Sequence, residues 1–194
     1  MKKNITIIGG GLAGSEAAYQ IAKRGIKVKL YEMKPSKFSP APSNCNLAEI
    51  VCSNSFKSNL ITNASGLLKE ELRQLDSLLI KIADEVQVPA GQALAVDREK
   101  FAEEVTKRLE QFANIEVIRQ EVGKEISVKQ LAENGIVIIA TGPLTSESLS
   151  KEIQELADQK VKIPMLGKTE SLNASVATAI IVYEYVRTEK LKLN

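Results

Sequence analysis

The sequence predicts an open α/β sheet of mainly parallel strands, with helices packed against it. Residues 5–9 form a continuous apolar run that ends in glycine, as expected of a strand buried on both faces. A glycine-rich turn and an alanine-rich helical segment follow directly, and a second strand, predicted at 27–32, ends in an acidic residue. Strand-like and helix-like segments then alternate along most of the chain, which is the pattern of an α/β sheet.

The first βαβ unit can be assigned element by element. In the first helix, the apolar residues recur close to a 3.6-residue period: Leu12, Ala17, Ala18, Ile21 and Ala22. Gly25 is placed to end this helix, and residues 27–32 form the second strand. Residues 34–65 are rich in Pro, Ser and Asn, and they predict a long irregular loop that carries both cysteines.

The middle of the chain is predicted to be mainly helical. Leucine, isoleucine and valine residues spaced four and three apart predict one helix over about 66–86: Leu68, Leu72, Leu75, Leu79, Ile82 and Val86. The segment 88–96 interrupts it. Asp97 can then cap another helix, in which four apolar residues share a face: Phe101, Val105, Leu109 and Phe112.

Two further strands are predicted at 115–119 and 135–142, separated by a charged segment that holds either a hairpin or a short helix. Residues 146–159 form a helix or a linker, and residues 162–164 a short strand or turn. An amphipathic helix is predicted from Asn173 to Arg187.

The composition of the chain excludes several kinds of function and of catalytic site. The chain has 194 residues, 44% of them hydrophobic, and a net charge of +2, so the totals carry no strong signature of nucleic-acid or membrane binding. No apolar run approaches the ~20 residues of a membrane span, so we expect a soluble cytoplasmic protein. With no histidine and two cysteines, histidine catalysis is excluded and no metal site is expected.

Gly9, Gly11 and Gly14 form a G-x-G-x-x-G pattern between the first strand and the first helix. In a Rossmann-like dinucleotide-binding sheet, these glycines permit a tight turn, close approach of a pyrophosphate, and close packing of helix on strand. The turn also contains Gly10, Leu12 and Ala13. The other reading is a glycine-rich turn without a ligand.

Glu32 ends the second strand, where a carboxylate can accept hydrogen bonds from ribose hydroxyls, which favours FAD or NAD over NADP. The other reading is a surface glutamate. Thr141 and Gly142 close the last long strand, and a small residue with a glycine there suits close approach to a dinucleotide.

Six segments of the chain resemble the amino-terminal half of the folate- and FAD-dependent tRNA uracil-5-methyltransferase family, over about residues 4–156. They read GGGLAGSEAA, LYEMKP, AEIVCSNSFKSN, ITNASGLLKEELRQLDSLLI, VPAGQALAVDREKFAEEV and VIIATGPLTSESLS. The resemblance implies a flavoprotein that takes a methylene group from methylenetetrahydrofolate and reduces it with flavin hydride drawn from NAD(P)H. The resulting methyl group is placed on C5 of a uridine in the tRNA T-loop.

Cys52 lies in the matching AEIVCSNS segment, and the family's corresponding cysteine is implicated in the transfer chemistry. A thiolate is a suitable nucleophile for activating the methyl acceptor or the methylene carrier. The other reading is a small buried residue beside the cofactor. Cys45 has no assigned role.

The tail, residues 161–187, is similar instead to the last motif of the SpoU-type RNA ribose 2'-O-methyltransferases. That similarity implies contacts to S-adenosylmethionine from six residues: Ile163, Met165, Gly167, Ser171, Leu172 and Asn173. The other reading is a capped amphipathic helix, whose apolar stripe packs on the first domain or on a second chain to form a homodimer.

We therefore expect an incomplete FAD-binding domain over 1–156, joined to a tail over 157–194 that carries a carboxy-terminal amphipathic helix. The leading hypothesis is the tRNA methyltransferase, with reduced or no activity in so short a chain. One alternative is a non-catalytic nucleotide-binding or dimerisation module. The other is a fragment of an S-adenosylmethionine-dependent ribose methyltransferase.

Overall fold

A computed structural model describes residues 4–38, 44–51 and 53–157. Residues up to Ile153 belong to one compact unit, and a second unit begins at Gln154. The elements, in chain order, are β1 (Asn4–Ile8), α1 (Leu12–Lys23), β2 (Val28–Tyr31), β3 (Ser55–Ser58), α2 (Ala64–Gln74), α3 (Leu78–Glu85), β4 (Gln87–Val88), β5 (Ala93–Val96), α4 (Arg98–Glu110), β6 (Ile115–Ile118), α5 (Val128–Glu133), β7 (Gly135–Ile139) and α6 (Glu147–Leu156).

The predicted parallel sheet is confirmed. Its strand order is β6-β2-β1-β7, and every neighbouring pair is parallel. Ile7 of β1 and Leu30 of β2 have no exposed surface, and both belong to the core cluster that includes Ala18 of α1 and Phe101 of α4. The carboxyl ends of the four strands therefore meet along one edge of the sheet.

Helix α1 packs its small residues on this sheet, as its alanine pattern predicts. Ala18 and Ala22 are buried, and Gly25, with φ of +74°, lies just beyond the carboxyl end of the helix. Helix α4 covers the same core with Phe101, Val105 and Leu109, all fully buried. The Asp97 side chain accepts a hydrogen bond from the Lys100 amide, so the predicted cap is confirmed.

The single helix expected over 66–86 is wrong. The chain forms α2 and α3 with a break at Asp76, whose φ is +61°, and Ser77 caps the second helix. On α1, the Glu16 carboxylate accepts hydrogen bonds from the Leu78 and Leu79 amides at 3.2 and 3.0 Å. Apolar spacing alone misses this break because Asp and Ser favour local capping bonds over a continuous helix.

The irregular loop expected over 34–65 is wrong in its last part, and the interruption at 88–96 also holds strands. Strands β3, β5 and β4 form a separate antiparallel sheet in that order. Lys69 of α2 connects this helix to β3, since its Nζ donates to the Phe56 carbonyl of β3 at 2.8 Å. The same Nζ donates to the Ser65 carbonyl within α2 at 2.7 Å. Burial lowers the pKa of this lysine.

The segment between β6 and β7 contains a short helix, α5, rather than a hairpin. Ser127 and Gln130 form a capping box at its start. Residues 147–156 form α6, so the helical alternative for that segment is confirmed. The strand or turn predicted at 162–164 and the helix predicted over 173–187 lie outside the described residues.

Candidate nucleotide-binding cleft

The glycine loop between β1 and α1 is held by close backbone contacts. Gly9 has φ of +103°, and a side chain there would come within 2.8 Å of the Ala140 carbonyl oxygen. A Cβ at Gly14 would overlap the carbonyl oxygen of Gly9, so the helix can lie this close to the turn only with glycine. The tight turn and the close packing expected of these two positions are both observed.

A side chain at Gly10 would be crowded, whereas a side chain at Gly11 would meet open space. A Cβ on Gly10 would lie 2.5 Å from Leu47 Cδ2 and 2.8 Å from Glu32 Oε2. A Cβ on Gly11 would meet nothing within 4 Å. Gly11 is also the N-cap residue of α1, where backbone amides lack helical partners and the helix dipole favours an anion. The open space at Gly11 therefore lies at the end of α1 that favours a bound anion.

Glu32 is buried, with 8% of its surface exposed, at the end of β2. Its Oε2 accepts a hydrogen bond from the Gly10 amide at 2.9 Å, and its Oε1 accepts one from the Lys34 amide at 3.0 Å. Each carboxylate oxygen has a second lone pair for another donor. The carboxylate is thus held in one orientation beside the glycine loop, rather than lying on the surface.

The carboxyl ends of the four parallel strands surround a cleft of about 400 Å³. All the predicted cofactor residues line it except Gly14, which lies beneath the loop: Gly9, Gly10, Gly11, Leu12, Ala13, Glu32, Thr141 and Gly142. The Thr141 hydroxyl lies 2.6 Å from that of Thr145, and Gly142 has φ of +67°, so the chain turns sharply away from β7 there.

Of this region only Cys52 was predicted at the site, whereas the segment 44–51 forms another part of it. Leu47 and Ala48 are almost fully buried, and the Ala48 amide donates to the Gly10 carbonyl at 2.8 Å. Glu49 and Val51 line the cleft. The apolar Leu-Ala pair within a polar stretch is a weak signal, and nothing local in it indicates that it packs on a loop nearly forty residues earlier.

Glu121 forms a polar cluster on the far side of the cleft. Its Oε1 accepts from Lys37 Nζ at 2.6 Å and from the Ser148 hydroxyl at 2.9 Å. These hydrogen bonds, that from Lys37 first, lower the pKa of the Glu121 carboxyl. The carboxylate is therefore ionised at neutral pH and ties residues 37 and 148 together.

Cys52, the predicted catalytic residue, lies outside the described residues, as do the six tail positions expected to contact S-adenosylmethionine. Cys45 is an exposed free thiol. Within 4–38, 44–51 and 53–157, no three His, Cys, Asp or Glu side chains are grouped so as to hold a metal ion. No helix in those ranges is both long and apolar enough to cross a membrane.

A parallel sheet with a glycine-rich turn after its first strand and an acidic residue after its second defines a Rossmann-like α/β protein. The family model described as glucose inhibited division protein A, GIDA, matches residues 4–182. The chain belongs to this family. The match continues beyond Leu156, where the resemblance was expected to end.

The chain is similar to proteins named methylenetetrahydrofolate–tRNA-(uracil-5-)-methyltransferase TrmFO. It is 58% identical to that of Lactobacillus johnsonii over 190 residues, which cover 98% of this chain and 42% of the relative. It is 49% identical to that of Desulfitobacterium hafniense over 186 residues, which cover 96% of this chain and 39% of the relative. The chain thus spans about two fifths of the length of these relatives.

Among solved structures, the GidA-related protein of Thermus thermophilus aligns with 61% of this chain and 38% of its own, at 13% identity and a TM-score of 0.29.

Proposed function

We propose that this chain is the FAD-binding, amino-terminal part of a folate-dependent tRNA uracil-5-methyltransferase. The observation that carries the proposal is the pairing of an open Gly11 with a buried, oriented Glu32 across one cleft. The names of the relatives support the reaction, since the two described above are methylenetetrahydrofolate-dependent tRNA methyltransferases.

In this proposal, the first amides of α1, next to Gly11, Leu12 and Ala13, would hold the diphosphate of FAD. Glu32 accepts hydrogen bonds from the ribose hydroxyls through the lone pairs that the Gly10 and Lys34 amides leave free. Gly9 and Gly14 shape the loop, and Thr141 and Gly142 form the opposite wall. The residues present therefore fit a dinucleotide.

When bound, the flavin supplies hydride, drawn from NAD(P)H, to reduce a methylene group from methylenetetrahydrofolate. We propose Cys52 as the thiol nucleophile of this reaction. We further propose tRNA as the macromolecular partner and the cytoplasm as the location. Residues 1–156 would bind the cofactor, and the tail at 157–194 would supply a helix for a homodimer contact.

FAD titration of the purified chain tests the proposal, followed by flavin fluorescence. Gly11→Val is the decisive variant, because the open space at Gly11 lets the chain fold normally while the new side chain occupies the diphosphate position. We expect saturable uptake by the unaltered chain, and a dissociation constant raised at least about tenfold by Gly11→Val, a loss of about 1.4 kcal/mol. Gly11→Ala, with a smaller side chain, should weaken uptake less.

Absence of uptake, or equal uptake by the Gly11→Val variant with an unchanged circular dichroism spectrum, would reject the proposal. A saturable signal from S-adenosylmethionine in place of FAD would favour the ribose methyltransferase instead.

A further inference from the structure

Lys34 connects two parts of the site that are distant in sequence. Its backbone amide donates to Glu32 Oε1 at 3.0 Å. Its side chain turns the other way, and Nζ donates to the Asn46 carbonyl at 2.6 Å and to Glu49 Oε2 at 3.2 Å. We infer that Lys34 is a positioning residue that holds the segment 44–51 in place as one wall of the cofactor cleft. The inference rests on the proposed function only in naming FAD as the ligand.

The ion pair between Lys34 and Glu49 is buried. Their side chains expose 6% and 9% of their surface, respectively. Removal of one partner from such a pair leaves the other charge in a poorly solvated position, which is strongly unfavourable. Glu49 also accepts a hydrogen bond from the Asn44 amide at 3.4 Å, and it is part of the cleft lining, so loss of the ammonium group should loosen this part of the wall.

Other contacts hold the first half of this segment independently of the Lys34 side chain. The Ala48 amide donates to the Gly10 carbonyl, and the Leu47 amide donates to Thr106 Oγ1 at 2.8 Å. Arg119 donates to the Cys45 carbonyl, also at 2.8 Å. Loss of the Lys34 ammonium should thus loosen residues 49–51 more than residues 45–48.

The Lys34 ammonium group is buried although it lies beside the cleft, because two acceptors of the segment 44–51 bind it. Glu49 partly neutralises the Lys34 charge, and the Asn46 carbonyl accepts a second hydrogen bond from the ammonium group. The side chain of Lys34 therefore binds the segment 44–51, and its backbone amide binds the Glu32 carboxylate that is proposed to bind ribose. A substitution of the side chain keeps the backbone bond to Glu32, which allows the two roles to be separated.

The test compares the unaltered chain with Lys34→Met, which keeps the aliphatic length, and with Lys34→Arg, which restores a cation. Lys29→Met is the matched control, because Lys29 lies on β2, five residues before Lys34, is exposed, and has no side-chain partner among the described residues. Two quantities are measured: the dissociation constant for FAD and the hydrogen-exchange rates of peptides covering 44–51 and β1.

We expect Lys34→Met to accelerate exchange in the 44–51 peptide and to raise the FAD dissociation constant, each by about tenfold. Exchange in β1 should stay unchanged. Lys34→Arg should bring both quantities back to within about threefold of the unaltered chain, and Lys29→Met should change neither.

Unchanged exchange at 44–51 in Lys34→Met overturns the inference, as does equal acceleration in 44–51 and β1, which would mean general loosening of the fold. If the unaltered chain takes up no FAD, the proposed function fails. The exchange rates of the ligand-free proteins then decide the role of Lys34 alone.

Discussion

The parallel sheet and the antiparallel sheet of this molecule differ in how far their own residues specify them. Strands β1, β2, β6 and β7 were predicted at nearly their observed positions, because each is four or five residues long and consists mostly of Ile, Val, Leu and Tyr or Thr. Strands β3, β4 and β5 were not predicted. β3 is polar, with the sequence SFKS, and β4 has only two residues. A run rich in Ile and Val therefore indicates a strand by its own composition, whereas β3, β4 and β5 form strands only through their pairing with one another.

The helices show the same contrast. Helix α1 begins and ends where its glycines predict, since both signals lie within the helix sequence or next to it. The break between α2 and α3 depends on a carboxylate from α1, about sixty residues earlier in the chain. No window of sequence around the break contains that partner.

The largest expected loss of stability concerns the packing of α1 on the glycine turn that follows the first strand of the parallel sheet. Gly14→Ala should lower the free energy of unfolding by at least about 3 kcal/mol, because its Cβ would overlap the Gly9 carbonyl oxygen and neither backbone can yield easily. Urea unfolding followed by far-ultraviolet circular dichroism measures this, a suitable probe because the chain has no tryptophan.

Gly11→Ala is the matched control, expected to lower that free energy by about 1 kcal/mol or less, because its Cβ meets open space and only the N-cap preference for glycine is lost. Equal unfolding curves for the two alanine variants would contradict the close packing of α1 on the glycine turn.

An intermediate effect should mark the contact that separates α2 from α3. Glu16→Ala removes the carboxylate that accepts from the Leu78 and Leu79 amides, so the first turn of α3 loses its acceptors. We expect the free energy of unfolding to fall by about 1–2 kcal/mol. Glu103→Ala, an exposed glutamate of α4, provides the control. A loss no greater than that of the control would mean that α3 is capped adequately by Ser77 alone.

The smallest effect should come from the predicted apolar stripe that the break disrupts. Leu75 is 71% exposed although its spacing assigned it to a buried face. Leu75→Ala should therefore change the free energy of unfolding by less than about 0.5 kcal/mol. Ile82→Ala, on the same expected stripe but fully buried, should cost about 2–5 kcal/mol. Similar losses for both variants would restore the single-helix prediction.

The residues of the candidate site show the same contrast between those with a local sequence signal and those that depend on distant contacts. The glycine loop, Glu32 and the turn at Thr141 were predicted because each directly follows a recognisable strand. Lys34, Leu47 and Glu49 were not, since their roles arise only when an irregular segment folds back on that loop. Sequence patterns therefore locate the cleft but omit the wall that completes it.

The crowding around Gly10 leads to a distinction that a G-x-G-x-x-G search would overlook. That pattern treats Gly10 as interchangeable, yet the methyl group of an alanine there would collide with Leu47 and Glu32. In a library randomised over residues 9–14, a screen for folded protein alone should already remove substitutions at Gly10. Substitutions at Gly11 should survive that screen and disappear only when the survivors are sorted for dinucleotide capture.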